Sequence, residues 1–226
     1  MAQIKALLFD FDGLLVETEW SDYKAWAELY EEHGHDLTLE EWSVVVGTIN
    51  PFDPMAKLRD LTELDLEEDE LRARRLARKM ELLEAEQLRP GVQACLEQSR
   101  ELRLRTAIVT SSARSWIEKN LERIACPHEF DIIVSADGDR AVAKPSPALY
   151  SNALSGLGVV AAEAIAFEDS PNGIKAAKAA SLFCVAVPNR VTDSLDLSQA
   201  DIQLSSLEET SLQALIAEAE GVPSAS

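Results

Sequence analysis

Ile4-Lys5-Ala6-Leu7-Leu8-Phe9-Asp10-Phe11-Asp12-Gly13 decides the fold. The run from Ile4 to Phe9 lacks the apolar–polar alternation of a half-exposed strand, and it stops on two carboxylates and a glycine. A short, continuous apolar run reads as a strand buried on both faces. Similar runs return at Thr106 to Thr110, Ile132 to Ser135, Ala164 to Phe167 and Phe183 to Val187, and Ile202 to Leu204 reads as a last edge strand. Between them lie amphipathic stretches of helical length: Val92 to Leu102, Ser115 to Ile124, Pro147 to Leu157 and Gly173 to Ala180. Leu207 to Ala219 reads as a closing helix. Strands alternating with helices predict an α/β fold, a Rossmann-like parallel sheet.

Residues 17–88 break that rhythm. They read as helices, among them Asp22 to His33 and Glu67 to Glu86, the latter with Leu71, Leu76, Met80 and Leu83 near helical spacing. Arg89-Pro90-Gly91 marks the return to the sheet. The expected organisation is a core of residues 1–16 and 89–226 with a small helical cap, 17–88, inserted after the first strand. The insert is the more acidic part, with 20 acidic and 8 basic residues. The tail after Gly221 is expected to fray.

The whole chain of 226 residues carries 40 acidic against 21 basic side chains, a net charge of -19. Phosphate backbones need a basic surface, so no nucleic-acid partner is expected. No apolar run is long enough to span a bilayer, and Met1 to Leu8 is too short for the core of a secretory leader, so neither a membrane partner nor export is expected. Cys95, Cys126 and Cys184 are odd in number and widely spaced, which suits reduced thiols in a cytoplasm rather than disulfides or zinc. A monomer is expected, a homodimer being the alternative.

Open parallel sheets bind ligands at the carboxyl ends of their strands. The first strand delivers Asp10 and Asp12, the second Thr110, Ser111 and Ser112, a loop after the third Lys144-Pro145, and the fourth Glu168 and Asp169. Crowded carboxylates cannot all stay ionised without a cation. All-oxygen ligands without nearby His or Cys favour Mg²⁺ over zinc. A metal, an ammonium, a hydroxyl and backbone N–H groups together make a cradle for a phosphoryl group. Taken singly, each of these residues has a plainer reading, as a helix N-cap or a surface charge.

The four elements Asp10-Phe11-Asp12-Gly13, Thr110-Ser111, Lys144-Pro145 and Glu168-Asp169-Ser170, in this order and at strand ends, resemble the haloacid dehalogenase-like (HAD) superfamily over nearly the whole chain. Within it the chain is similar to the beta-phosphoglucomutase-like group of phosphatases and mutases. The resemblance implies the HAD fold and an aspartyl-phosphate mechanism. Asp10 would be the nucleophile and Asp12 the general acid and base. Asp10, the Asp12 main-chain carbonyl and Asp169 would hold Mg²⁺, with Glu168 a ligand through water or a supporting partner. Thr110, the Ser111 N–H and Lys144 would hold the phosphoryl oxygens, and Gly13 would permit a sharp turn.

Three residues of the insert are candidates for touching substrate: Glu19, which faces the cleft or else caps the helix that follows, and Asn50 and Lys79, which the resemblance sets in the places of a cap arginine and a cap lysine of the mutases. Arg72, Arg74 and Arg78 have acidic partners at helical spacing (Glu68, Glu70 and Glu81), whereas Arg75 and Lys79 have none. Arg75 and Lys79, four apart, are expected to meet an anion across the cleft or else to stay solvated. Two departures from the mutases favour hydrolysis. Asp22 stands four residues after Thr18, where the mutases carry histidine, and Asn50 stands near the place of their cap arginine. The expected function is a Mg²⁺-dependent phosphatase acting on a small phosphorylated metabolite, a sugar phosphate. A phosphosugar mutase is the alternative, and a catalytically silent binding protein is the third reading.

Overall fold

The computed structural model describes residues 3–43, 46–47, 53–62, 67–126 and 128–221. The strands are β1 (Ala6–Phe9), β2 (Arg105–Thr110), β3 (Ile132–Ser135), β4 (Ala164–Glu168), β5 (Phe183–Ala186) and β6 (Ile202–Gln203). They form one six-stranded sheet in the order β3-β2-β1-β4-β5-β6, and every neighbouring pair is parallel. The strand opened by Ala6 therefore sits centrally, and Phe9 is in register with Ile108 on one side and Phe167 on the other. Strand order reverses at β1, which puts a crevice just beyond Phe9.

Alternate residues of each strand feed two cores. Leu7, Phe9, Ile108, Ile165, Phe167 and Val185 face α5 (Val92–Glu101), α6 (Arg114–Arg123) and α9 (Leu212–Ala219). Phe9 stacks on Phe167 with ring centroids 4.8 Å apart. Ala6, Leu8, Ala107, Val109, Ala166 and Cys184 face α7 (Ala148–Leu157) and α8 (Pro171–Ala179). Small residues on this second face let the helices approach closely.

Among the described residues four helices fall between β1 and α5: α1 (Glu19–Glu32), α2 (Leu39–Ser43), α3 (Pro54–Thr62) and α4 (Glu68–Leu83). They bury an apolar cluster of their own, built on Trp26, Leu29, Tyr30, Leu37, Trp42, Met55, Leu58 and Leu71. The buried Tyr30 hydroxyl donates to the Pro54 carbonyl at 2.6 Å, which satisfies both groups. Among the described residues no helix is long and apolar enough to cross a membrane.

Several boundaries differ from expectation. The closing helix begins at Leu212, not Leu207, because the Ser211 hydroxyl accepts from the Ala214 N–H and starts it there. Helix α1 begins three residues earlier than the expected Asp22, α4 stops at Leu83, and the edge strand β6 has only two residues.

Candidate active site

Asp10 follows β1 directly, and its N–H donates to the Phe167 carbonyl at 3.0 Å, extending the ladder by one residue. That fixes the side chain at the crevice, buried and 3% exposed. Lys144, equally buried, places Nζ 2.7 Å from Asp10 Oδ1 and 2.7 Å from Glu168 Oε1. Glu168 Oε1 also accepts from the Tyr150 hydroxyl at 2.5 Å. Asp169 Oδ2 accepts from Asn189 Nδ2 at 2.6 Å. Oxygens of Asp10, Glu168 and Asp169 lie within 4.8 Å of one another.

Two glycines make this packing feasible. Gly13 has φ +80°, and a Cβ there would stand 2.3 Å from both Asn189 Nδ2 and Asp169 Oδ2. A Cβ on Gly173 would lie 1.8 Å from Glu168 Oε2. Both are far inside van der Waals contact.

The charge balance of the cluster is incomplete. Burial pushes the Asp10 carboxyl up to about 7, against the pull of Lys144, and the Glu168 carboxylate adds to the rise. Burial, then Asp10 and Glu168, hold Asp169 well above the carboxylate range. Burial draws Lys144 down, but the carboxylates of Asp10 and Glu168 outweigh it and leave the ammonium above its ordinary value. Glu168 Oε2 and Asp169 Oδ1 are buried without a hydrogen-bond partner. Such atoms cost free energy unless something meets them. Three buried carboxylates, two orphaned oxygens and only oxygen donors fit a hard divalent cation such as Mg²⁺.

The side chain of Asp12 stands outside that cluster. Its Oδ1 accepts from the Thr18 hydroxyl at 2.6 Å and from the Trp116 indole N–H at 2.8 Å, and its Oδ2 pairs with the Ser112 hydroxyl at 2.6 Å. Ser111 Oγ accepts from the Lys144 N–H at 3.1 Å and donates to the Gly47 carbonyl at 3.2 Å, tying the end of β2 to the insert. Thr110 Oγ1 accepts from the Ser112 N–H. Asp12, Ser111 and Ser112 cap neither neighbouring helix: α6 starts after Ala113 without a side-chain cap, and α8 is capped by Ser170. Asp10, Asp12, Glu19, Gly47 and residues 110–112 line a cavity of about 260 Å³. A larger cleft of about 710 Å³ opens at the two linkers, beside Glu17, Leu88 and Arg89, and none of the cluster carboxylates lines it.

Of the insert residues, Glu19 faces the cavity, where burial and then Asp12 and Asp22 raise its carboxyl to about 8. Asn50 lies outside the described residues. Arg75 and Lys79 are half-buried rather than left to solvent, and the anion they meet belongs to the insert itself. Asp22 accepts from Arg75 at 2.9 Å and from Lys79 at 2.6 Å. Each cation also covers an indole, Arg75 over Trp26 and Lys79 over Trp116, at 5.1 and 4.6 Å from the ring centroids. Arg72 and Arg78 do pair with Glu68 and Glu81, but Arg74 reaches Glu32 of α1 instead of Glu70.

Four contributors escaped the sequence reading: Tyr150, Asn189, Trp116 and Thr18. Asn189 had a usable signal, because it follows β5 and the strand-end rule applies to that strand as well. Tyr150 and Trp116 lie on helices, and only tertiary packing aims them at the carboxylates.

The sequence model of the family described as haloacid dehalogenase-like hydrolase matches residues 4–181. YhcW of Bacillus subtilis, assigned by name to the phosphatases, is 41% identical over 94% of this chain and 96% of its own. Validoxylamine A 7'-phosphate phosphatase of Streptomyces hygroscopicus subsp. limoneus is 33% identical over 91% of this chain and 95% of its own. A crystal structure of a CbbY variant from Rhodobacter sphaeroides with xylulose-(1,5)bisphosphate superposes with a TM-score of 0.73 at 29% identity, covering 94% of this chain and 99% of that one.

Proposed function

The chain belongs to the haloacid dehalogenase-like hydrolases, and from that premise we propose that it is a Mg²⁺-dependent phosphatase that cleaves a small sugar phosphate through an aspartyl-phosphate. The observation that carries the reading is the gathering of Asp10, Glu168 and Asp169 within 4.8 Å, bridged by Lys144. That the relatives above are phosphatases by name supports it.

In this reading Asp10 attacks phosphorus. Its oxygen–phosphorus bond forms as the ester bond to the sugar oxygen breaks, and Asp12 gives its proton to that leaving oxygen. The carboxylate so formed on Asp12 then takes a proton from water. The water oxygen bonds to phosphorus, and Asp10 is released as inorganic phosphate departs. Thr110, the Ser111 N–H and Lys144 hold the phosphoryl oxygens. Asp10, Asp169 and the Asp12 main-chain carbonyl would hold Mg²⁺, with Glu168 a ligand through water or a supporting partner. When bound, the ion supplies the positive charge that keeps these carboxylates ionised and draws charge from the phosphoryl group.

The small cavity under the insert suits a compact metabolite, and Glu19 gives it an acceptor for sugar hydroxyls. Hydrolysis is preferred to phosphoryl return, because Asp22 is engaged by Arg75 and Lys79 and offers the sugar no imidazole. The setting we assign is a cytoplasm, which the three free cysteines suit, and the working form is a monomer. A phosphate-release screen over sugar phosphates with Mg²⁺ tests the reading: release by the wild type and none by Asp10→Asn is expected. No release from any ester overturns it. Conversion of beta-glucose 1-phosphate to glucose 6-phosphate without release would make it a mutase.

A further inference from the structure

The Trp116 indole has no part in the reaction just described, yet it touches its acid–base group. Trp116 lies on the first turn of α6, half-buried, and its Nε1–H points at Asp12 Oδ1 from 2.8 Å. We propose that Trp116 is the positioning residue that holds Asp12 Oδ1 as an acceptor and thereby turns Oδ2 toward the substrate as the oxygen that delivers the proton. The inference rests on the phosphatase reading.

The argument is one of donor and acceptor inventory. An indole N–H can only donate, so an oxygen that it meets cannot carry a proton along that line. Oδ1 also accepts from the Thr18 hydroxyl at 2.6 Å, which fills its two acceptor sites. Oδ2 is met by the Ser112 hydroxyl at 2.6 Å, and a hydroxyl either donates or accepts. A proton on Oδ2 needs only the Ser112 hydroxyl to turn and leaves Oδ1 a full acceptor for both of its donors, whereas a proton on Oδ1 would turn the Thr18 hydroxyl and leave the indole N–H on a weak, hydroxyl-type acceptor. Ser112 lines the cavity beside Asp10, so Oδ2 is the oxygen on the substrate side.

Trp116 is itself held. Lys79 of α4 places its ammonium 4.6 Å from the indole centroid and is anchored on Asp22 at 2.6 Å. A rotatable carboxylate needs such a fixed donor. Misplacing a reacting group by about 1 Å can cost on the order of a hundredfold in rate.

The test uses the full chain with Mg²⁺ and two esters. One is p-nitrophenyl phosphate, whose leaving group departs without a proton. The other is the sugar phosphate that the wild type cleaves fastest, whose alkoxide needs one. kcat/KM reports the steps up to transfer onto Asp10. For Trp116→Phe the expected result is a fall of about tenfold or more for the sugar phosphate and less than about threefold for the aryl ester. Equal losses on both esters, or none on either, would overturn the assignment, because a merely structural tryptophan does not discriminate leaving groups. Replacing Trp116 by 3-benzothienylalanine keeps ring volume and loses only the N–H; it must give the same split, and it decides the matter if the Phe variant folds poorly. A wild type that releases phosphate from neither ester overturns the phosphatase reading itself, whereas an active wild type with an unsplit variant overturns this inference alone.

Discussion

Lys144 Nζ lies 2.7 Å from Asp10 Oδ1, with both side chains sealed from solvent. A buried ammonium so placed both orients the carboxylate and cancels part of its charge. Lys144→Met leaves Asp10 and Glu168 without their cation. At about pH 8 the expected destabilisation is about 3–5 kcal/mol, the usual cost of breaking a buried pair from one side. Denaturant titrations are expected to show a smaller loss at about pH 5, where the Asp10 carboxyl is protonated. Phosphate release by a folded variant is expected to fall by at least about a hundredfold.

Burial, and then the carboxylates of Asp12 and Asp22, raise the Glu19 carboxyl from an ordinary 4.5 to about 8 in the folded chain. Between those values the folded state keeps a proton that the unfolded state has lost. Stability from this group is therefore present below about 4.5 and is lost as pH rises through about 8. Glu19→Gln is expected to match the wild type near pH 4 and to be the more stable at about pH 9, by about 1 kcal/mol or more, about 2–4 °C in Tm for a chain this size. A pH series of melting curves checks the sign. A variant that is less stable than the wild type at the alkaline end contradicts it.

The orphaned oxygens of Glu168 and Asp169 predict that Mg²⁺ stabilises the fold. At about a hundred times its dissociation constant the ion should add about 2.7 kcal/mol. Calorimetry with and without Mg²⁺ is expected to show a rise in Tm for the wild type and little or none for Asp169→Asn. Chelation is expected to stop phosphate release.

Asp22 holds Arg75 and Lys79 together between α1 and α4. Asp22→Ala removes the shared anion and leaves two cations side by side. The pairs are half-exposed, so the expected cost is about 1–2 kcal/mol, between the surface and buried cases. A loss that added salt reduces would fit the repulsion of the two cations.

The central sheet could be read from the sequence because β1, β2, β4 and β5 are buried along almost their whole length and show as short apolar runs. Asp10, Lys144, Glu168 and Asp169 could be read for the same reason, since a parallel sheet sends every strand end to one edge. Helices were harder to bound. Ser211 starts α9 through one hydroxyl, a local choice that hydrophobic spacing between Leu207 and Ala219 does not reveal. The ion pairs of Asp22 were missed because it lies 53 and 57 positions before Arg75 and Lys79. Helical spacing rules see only neighbours three or four apart. Tyr150 and Trp116 were hidden for a similar reason, each on a helix whose polar contact depends on how that helix docks.

Acid quenching of the Asp12→Asn variant during turnover of radiolabelled p-nitrophenyl phosphate tests the aspartyl-phosphate most directly, since this ester forms the intermediate without a proton from Asp12, and loss of the base that activates water leaves the phosphorylated carboxylate to accumulate. The account predicts label bound covalently to the peptide that carries Asp10, and none in the variant that also bears Asp10→Asn. Label on any other residue, or phosphate released by the Asp10→Asn variant at the wild-type rate, would contradict it.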